Sequence, residues 1–310
     1  MGQAVWGSAG RRLAGTGAAT LIALLPLVVW VQMAVVQVGR VTAVYWPGDE
    51  VLATGLAEFA DAQSRWPGLP APPARPVRLI VTPDDSAFDS IVGGRVPEWG
   101  AAVAMPASNS IVIRASDGVP AVRQHLRHEL AHLALREAVP RGVPRWLDEG
   151  YAVVAANEWD GTDVLRVNWA MVRGVRPSLR DVDRALQEPS ATNAAGAYAF
   201  AATAASMLKR LGRERGFEPI FSGLRAAGDL DAALRATHQM TIGQFEEQWQ
   251  RDLRRRYGWM TLLGSATVFW AFAALILSAL WSRSRMRYDA RRAALDEGWT
   301  VAASDAGTDA

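Results

Sequence analysis

The sequence predicts an α+β domain, a small sheet followed by a larger helical part, flanked by two transmembrane helices. Three observations carry this prediction. Short runs rich in β-branched residues cluster between 77 and 114, and helical patterns dominate from about 119 to 256. Two long uncharged runs bracket these segments, between Arg12 and Arg40 and between Arg256 and Arg283. Each exceeds the ~20 residues that cross a bilayer as a helix.

The first run contains Leu21-Ile22-Ala23-Leu24-Leu25-Pro26-Leu27-Val28-Val29-Trp30 and reads as a helix over 13–39. A cleaved signal peptide is the alternative, but the apolar stretch is long for one and no clear A-x-A site follows, so a retained anchor is favoured. The second run reads as a helix over 259–281, with Tyr257, Trp259 and Trp281 at its ends, where aromatic rings favour the membrane boundary. Arg11 and Arg12 precede the first span against a lone Arg40 after it, and Arg283, Arg285, Arg287, Arg291 and Arg292 follow the second against Arg254, Arg255 and Arg256 before it; the excess on each side places both termini (1–12 and 282–310) in the cytoplasm. The domain between, 41–258, then lies outside the cell membrane. With no cysteine, no disulfide informs on compartment, and a net charge of +2 argues against nucleic acid as a partner.

Within the domain, Asp49 is positioned to cap a helix carrying Val51, Leu52, Leu56 and Phe59 on one side. The proline-rich connector 67–73 ends it. Strands are expected at 77–81, 101–105 and 110–114, the last two joined by a turn at 106–109. A helix follows from about 119 to 137, with Asp117 as its cap and Val122, Leu126, Leu130 and Leu133 on its apolar face. Pro140-Arg141-Gly142-Val143-Pro144 breaks it. A second helix begins near Arg145, and further helices are expected at about 194–211, 216–226 and 242–256. The stretch 188–193 reads as a loop, and the tail after Ala294 as disordered.

The first long helix carries His128-Glu129-Leu130-Ala131-His132, an H-E-x-x-H motif. Residues four apart share one helical face, so both imidazoles can meet a single metal ion with Glu129 beside its water. A catalytic zinc takes three protein ligands and leaves one position open. The helix break at 140–144 lets the next helix fold back, so Glu149 can reach the metal. Asp148 points about 100° away on that helix, so only one of the two should bind. Two imidazoles and one carboxylate leave zinc a net positive charge, which brings the pKa of its water toward ~7.

Together with Trp146-Leu147-Asp148-Glu149-Gly150-Tyr151-Ala152, the motif resembles the gluzincin metallopeptidases. It is closest to the peptidase MA-like group and similar to the aminopeptidase N type. The resemblance implies a zincin-like domain, a zinc cofactor, a peptide or protein substrate, and Glu149 as third ligand after His128 and His132. It also implies Glu129 as general base and Tyr198, in the helix after the zinc helices, as an oxyanion stabiliser. His125 reads as exposed or as a support of the ligands, and His238 as structural. Arg145 and Asp148 could support the ligands, with surface salt bridging favoured.

Two family patterns are absent. Val153 stands where an E-x-x-x-D motif would place its aspartate, and no G-x-M-E-N signature occurs near Gly100–Met105. Without an acidic residue there to hold a free amino terminus, endopeptidase activity is favoured over aminopeptidase activity. The edge strand would still accept an extended peptide by β-addition. The leading expectation is a membrane-anchored zinc metallopeptidase. The alternative is a membrane-tethered zincin-fold binding or scaffold protein without turnover, against which the intact Glu129 argues. An intramembrane protease fails on placement, because the zinc helix is far from both spans and carries Arg123, Arg127 and Arg136.

Overall fold

The computed structural model describes residues 33–70, 73–93, 102–115, 119–187, 191–257 and 259–297. The chain enters the domain through a hairpin, β1 (Ala34–Val38) and β2 (Val41–Tyr45), which pair antiparallel. Its two-residue turn places Gly39 at φ +52, where a Cβ would overlap the Asp61 carboxylate. That carboxylate accepts the Arg40 N–H at 2.9 Å, which ties the turn to helix α1 (Glu50–Ala62).

This hairpin corrects the expected first span. Residues 13–32 lie outside the described residues, but 34–38 are strand and belong to the domain. A continuous apolar run does not distinguish helix from strand by periodicity, and the turn at Gly39 decides in favour of strand here.

Three strands complete the sheet: β3 (Val77–Thr82), β4 (Ala102–Met105) and β5 (Ser110–Arg114). The order is β1-β2-β3-β5-β4. β2, β3 and β5 run parallel, while β1 and β4 run antiparallel at the two edges. Helix α1 crosses from β2 to β3 and buries Ala53, Leu56, Ala57 and Ala60. Of the expected apolar face, Leu56 is buried and Leu52 and Phe59 pack against the core, while Val51 is exposed. Asp49 holds the N-cap position without a side-chain hydrogen bond. Helix α2 (Asp85–Val92), not among the expected elements, is capped by the Asp84 carboxylate accepting the Ala87 N–H.

Helix α3 (Val119–Ala138) buries Val122, Leu126, Leu130 and Leu133 as expected, and contacts both β4 and β5. Asp117 lies outside the described residues. After the 140–144 break, α4 (Arg145–Ala156) returns along α3, with Trp146, Leu147 and Tyr151 in the core. Two unanticipated helices follow, α5 (Gly161–Val172) and α6 (Leu179–Ala185), each started by a side-chain cap at Asp160 or Ser178. α7 (Ala191–Leu211) begins inside the expected loop, of which 188–190 lie outside the described residues.

α7 packs closely on α4 because both surfaces are small. A Cβ at Gly150 would overlap the Ala201 carbonyl, and Ala197, Ala201, Ala204 and Ala205 are buried. α8 (Glu218–Ala227), α9 (Leu230–His238) and α10 (Ile242–Tyr257) close the domain, with Phe221, Phe245 and Trp249 fully buried.

α11 (Trp259–Glu297) extends well past the expected span 259–281, through the basic segment after it and into the first three residues, 295–297, of the tail expected to be disordered. Phe269, Trp270, Phe272, Leu275 and Ile276 on it are exposed. No helix among the described residues is long and apolar enough to cross a membrane. The side chains of 259–268 are not among those described.

Candidate metal and catalytic site

The 3.6-residue repeat of α3 puts His128 and His132 on one face, with their rings edge-on at a centroid distance of 4.9 Å. α4 brings Glu149 against them. Its Oε2 lies 3.6 Å from His128 Nε2 and 3.4 Å from His132 Nε2. Its other oxygen, Oε1, lies 3.4 Å from Nη2 of Arg145, one turn earlier on α4. One carboxylate oxygen thus faces both imidazoles while the second is held from behind. Potential ligand atoms of the three residues all lie within 4.8 Å of one another. Neither His125 nor Asp148 belongs to this cluster.

The remaining imidazole nitrogens are occupied too. His128 Nδ1 lies 2.7 Å from Glu158 Oε2, and His132 Nδ1 lies 2.7 Å from Asp148 Oδ1. An ionised carboxylate only accepts, so each Nδ1 is the donor and each Nε2 points into the cluster. Asp148 therefore serves His132, where the sequence reading favoured a surface salt bridge. Glu158 was missed altogether. Asn157, in the left-handed conformation at φ 57, ends α4 and turns the chain so that the next residue reaches back to His128. No motif spacing encodes that reach. The only sequence signal is an Asn followed by an acidic residue at the helix end.

Burial and charge pull the acid–base equilibria in opposite directions. Burial alone lowers the pKa of His128, but the Glu149 and Glu158 carboxylates overcome it and push the imidazole up to about 9. Burial likewise opposes protonation of His132, and Asp148 and Glu149 raise its pKa well above the ordinary value. Burial would raise the pKa of Glu149, yet hydrogen bonding to both histidines holds it well below the usual carboxylate range. In the metal-free protein the carboxylates thus favour protonated imidazoles where a divalent cation would be bound. Two imidazole nitrogens and one carboxylate oxygen, backed by outer carboxylates, form the donor set of a catalytic zinc site. The residues fit that ion.

Glu129, beside His128, accepts the backbone N–H of Ala104 at 2.6 Å through Oε2. Ala104 lies on β4, an edge strand among the described residues, so this carboxylate lies against that edge of the sheet. Tyr198 on α7 stands on another side of the site, its ring centroid 6.5 Å from that of His128. Burial chiefly, and then the Glu149 carboxylate, keep its phenol protonated far above neutrality. His125 and His238 stand apart. Burial lowers the pKa of His238, whose Nδ1 meets Thr237 Oγ1 at 2.7 Å.

The chain belongs to the peptidase MA superfamily, whose family model matches residues 70–255, well over half of the 310. That stretch contains the site, from edge strand β4 through α3 and α4 to Tyr198. No curated protein matches the chain.

Proposed function

We propose that this peptidase is a zinc-dependent endopeptidase held at a membrane, with its catalytic domain on the extracytoplasmic side. One observation carries the catalytic part: His128, His132 and Glu149 converge while the Glu129 carboxylate lies against β4, which is an edge strand among the described residues. When bound, zinc supplies Lewis acidity that polarises the scissile carbonyl and makes water acidic near neutrality. Glu129 takes a proton from the attacking water and delivers it to the leaving amine. Its contact with Ala104 N–H orients that carboxylate along β4, where an extended peptide would add as a further antiparallel strand. The Tyr198 hydroxyl, kept protonated by its burial, can donate to the carbonyl oxygen as negative charge develops there. A site open along a strand, with no acidic residue among 101–105 to fix an amino terminus, suits an internal bond.

The membrane part rests on the uncharged run 257–282, which begins at the last residue of α10, and on the arginines after it. By the same arginine balance, both termini are placed in the cytoplasm. A cytoplasm-specific reporter fused after Ala310 should be active, and protease added to spheroplasts should reach the domain. An inactive reporter with a protected domain would invert this topology.

The test of catalysis is the full chain, loaded with zinc, against a peptide library. Glu129→Gln should retain zinc and the fold, yet lose at least ~10² of the rate, the scale of a removed acid–base group. Near-normal turnover in that variant would end the assignment. In the same assay, Tyr198→Phe should lower kcat by ~10–10³-fold with KM nearly unchanged, because the hydroxyl acts on the transition state. A silent variant removes Tyr198 from the reaction.

A further inference from the structure

The end of the domain from which α11 departs carries an apolar stripe beside a basic groove. On α5, Leu165, Trp169 and Val172 are 59%, 64% and 44% exposed. Their spacing of four and then three puts them on one helical face, which has no packing partner among the described residues. The stripe is anchored where it meets the rest of the fold, since α5 packs on α10 and α11, and Trp159 lies 6.5 Å ring to ring from Tyr257. At the C-terminal end of α5, Met171, Gly174 and Val175 line a small groove with Gln250, Leu253 and Arg254 of α10.

Arg254 also borders a larger groove of about 560 Å³ between α7 and α10, lined by Arg210, Arg251 and Arg255 as well. One acid lies among these cations. Asp252 pairs with Arg210 and with Arg256, which leaves Arg251, Arg254 and Arg255 without an ion pair among the described residues. All three are exposed. Three exposed arginines beside an aromatic and aliphatic stripe match the chemistry of an anionic lipid surface. Guanidinium forks bind phosphate oxygens, and Trp and Leu enter the boundary between headgroups and acyl chains.

We propose that this surface docks the peptidase domain on an anionic bilayer, with the α5 stripe entering the headgroup boundary and the α7–α10 groove holding lipid phosphates. The proposal rests on the membrane reading of the 257–282 run and is independent of peptidase activity. It predicts that the domain lies against the bilayer, with α5 in the interface, instead of hanging freely from α11.

The chain has no cysteine, so a single introduced thiol reports on one position. Trp169→Cys in the full chain, labelled with an environment-sensitive fluorophore, is reconstituted into vesicles carrying a nitroxide lipid. One set is phosphatidylcholine alone, the other phosphatidylcholine mixed with phosphatidylglycerol. The chain should float with both sets, but the probe should shift to the blue and be quenched only with the anionic lipid. Leu165→Cys should behave alike, and Ser90→Cys, exposed on α2, should stay in water throughout.

Arg254→Gln with Arg255→Gln should return the probe to water. At about fivefold per arginine near an anionic surface, the pair lowers the docked-to-free ratio by ~25-fold. A chain that floats while position 169 stays in water with both lipids overturns the docking and leaves the anchor standing. Failure to float overturns both. Release of the probe by inorganic phosphate, but not by chloride of equal ionic strength, assigns the groove to a free anion and overturns the lipid.

Discussion

The two histidines are held at the same distance by two different pieces of structure. His132 leans on Asp148, which sits within helix α4, one residue before the ligand Glu149, and whose side chain is 39% exposed. His128 leans on Glu158, which lies beyond the end of α4, on a turn, and is 19% exposed. A helix supplies Asp148 at no extra conformational cost, because the rotation that aims Glu149 at the metal aims its neighbour at the far nitrogen. Glu158 arrives only because the chain reverses at a left-handed residue. A hydrogen bond of 2.7 Å therefore says little about how robust each arrangement is. The more buried pair is stronger in its local field and more exposed to failure of its backbone support.

Removing Glu149 should do the most damage, because both imidazoles face it. Glu149→Ala should cost more zinc affinity than either outer carboxylate, beyond the ~10–100-fold typical of such partners. Metal content after dialysis against a chelator buffer measures it. If Asp148→Ala empties the site instead, the third ligand is misassigned and the comparison of the two supports falls with it.

Next in size are the outer carboxylates. Glu158→Gln should lower zinc affinity toward the ~100-fold end of the outer-partner range, and Asp148→Asn toward the ~10-fold end, where water can replace the lost acceptor. Competition with a colorimetric chelator would rank them. The reverse order would mean that exposure does not govern the strength of these pairs.

How much of this was legible beforehand follows the same division. The ligands, Glu129 and the helix break were readable because helical periodicity converts spacing into direction. Asp148 was readable in direction but not in purpose, since its aim away from the metal was clear and its target was not. Glu158 was hidden because its position depends on one φ angle, which no pattern of side chains announces. The β1–β2 hairpin was misread for a different reason. Its residues continue an apolar run, and the length of that run outweighed the local turn signal at Gly39-Arg40 that joins β1 to its partner. α5 and α6 carry capping residues at Asp160 and Ser178, but α6 is only seven residues long and the apolar residues of α5 are split between a buried side at Val167 and an exposed one at Leu165 and Trp169, so neither showed a single core-facing stripe.

The pH dependence of the metal-free protein sharpens the comparison further. His128, raised from 6.5 to about 9, and His132, also raised, favour the folded state while protonated. That contribution is complete below the ordinary imidazole value and is lost as pH climbs through the folded values. Metal-free protein should therefore melt several degrees lower at pH 9 than at pH 7. Glu158→Gln and Asp148→Asn should each flatten part of the decline. Zinc-loaded protein should lack it, since the metal replaces both protons. A metal-free Tm that rises over this window would contradict the charge arrangement of the site.

The smallest effect isolates the turn itself. Asn157 holds φ 57, and its N–H together with that of Glu158 satisfies carbonyls at the end of α4, the latter bonding Val153 O at 3.0 Å. Asn tolerates this conformation better than Ala, for which the left-handed region costs roughly 1–2 kcal/mol, whereas Gly adopts it freely. Asn157→Ala should thus lower Tm by only a few degrees and weaken zinc less than Glu158→Gln, because the carboxylate is still present on a strained turn. Asn157→Gly should be nearly neutral for both. Should Gly prove as damaging as Ala, the Asn side chain and not its backbone angle supports Glu158. The two histidines would then differ by a side-chain contact instead of by the shape of the chain.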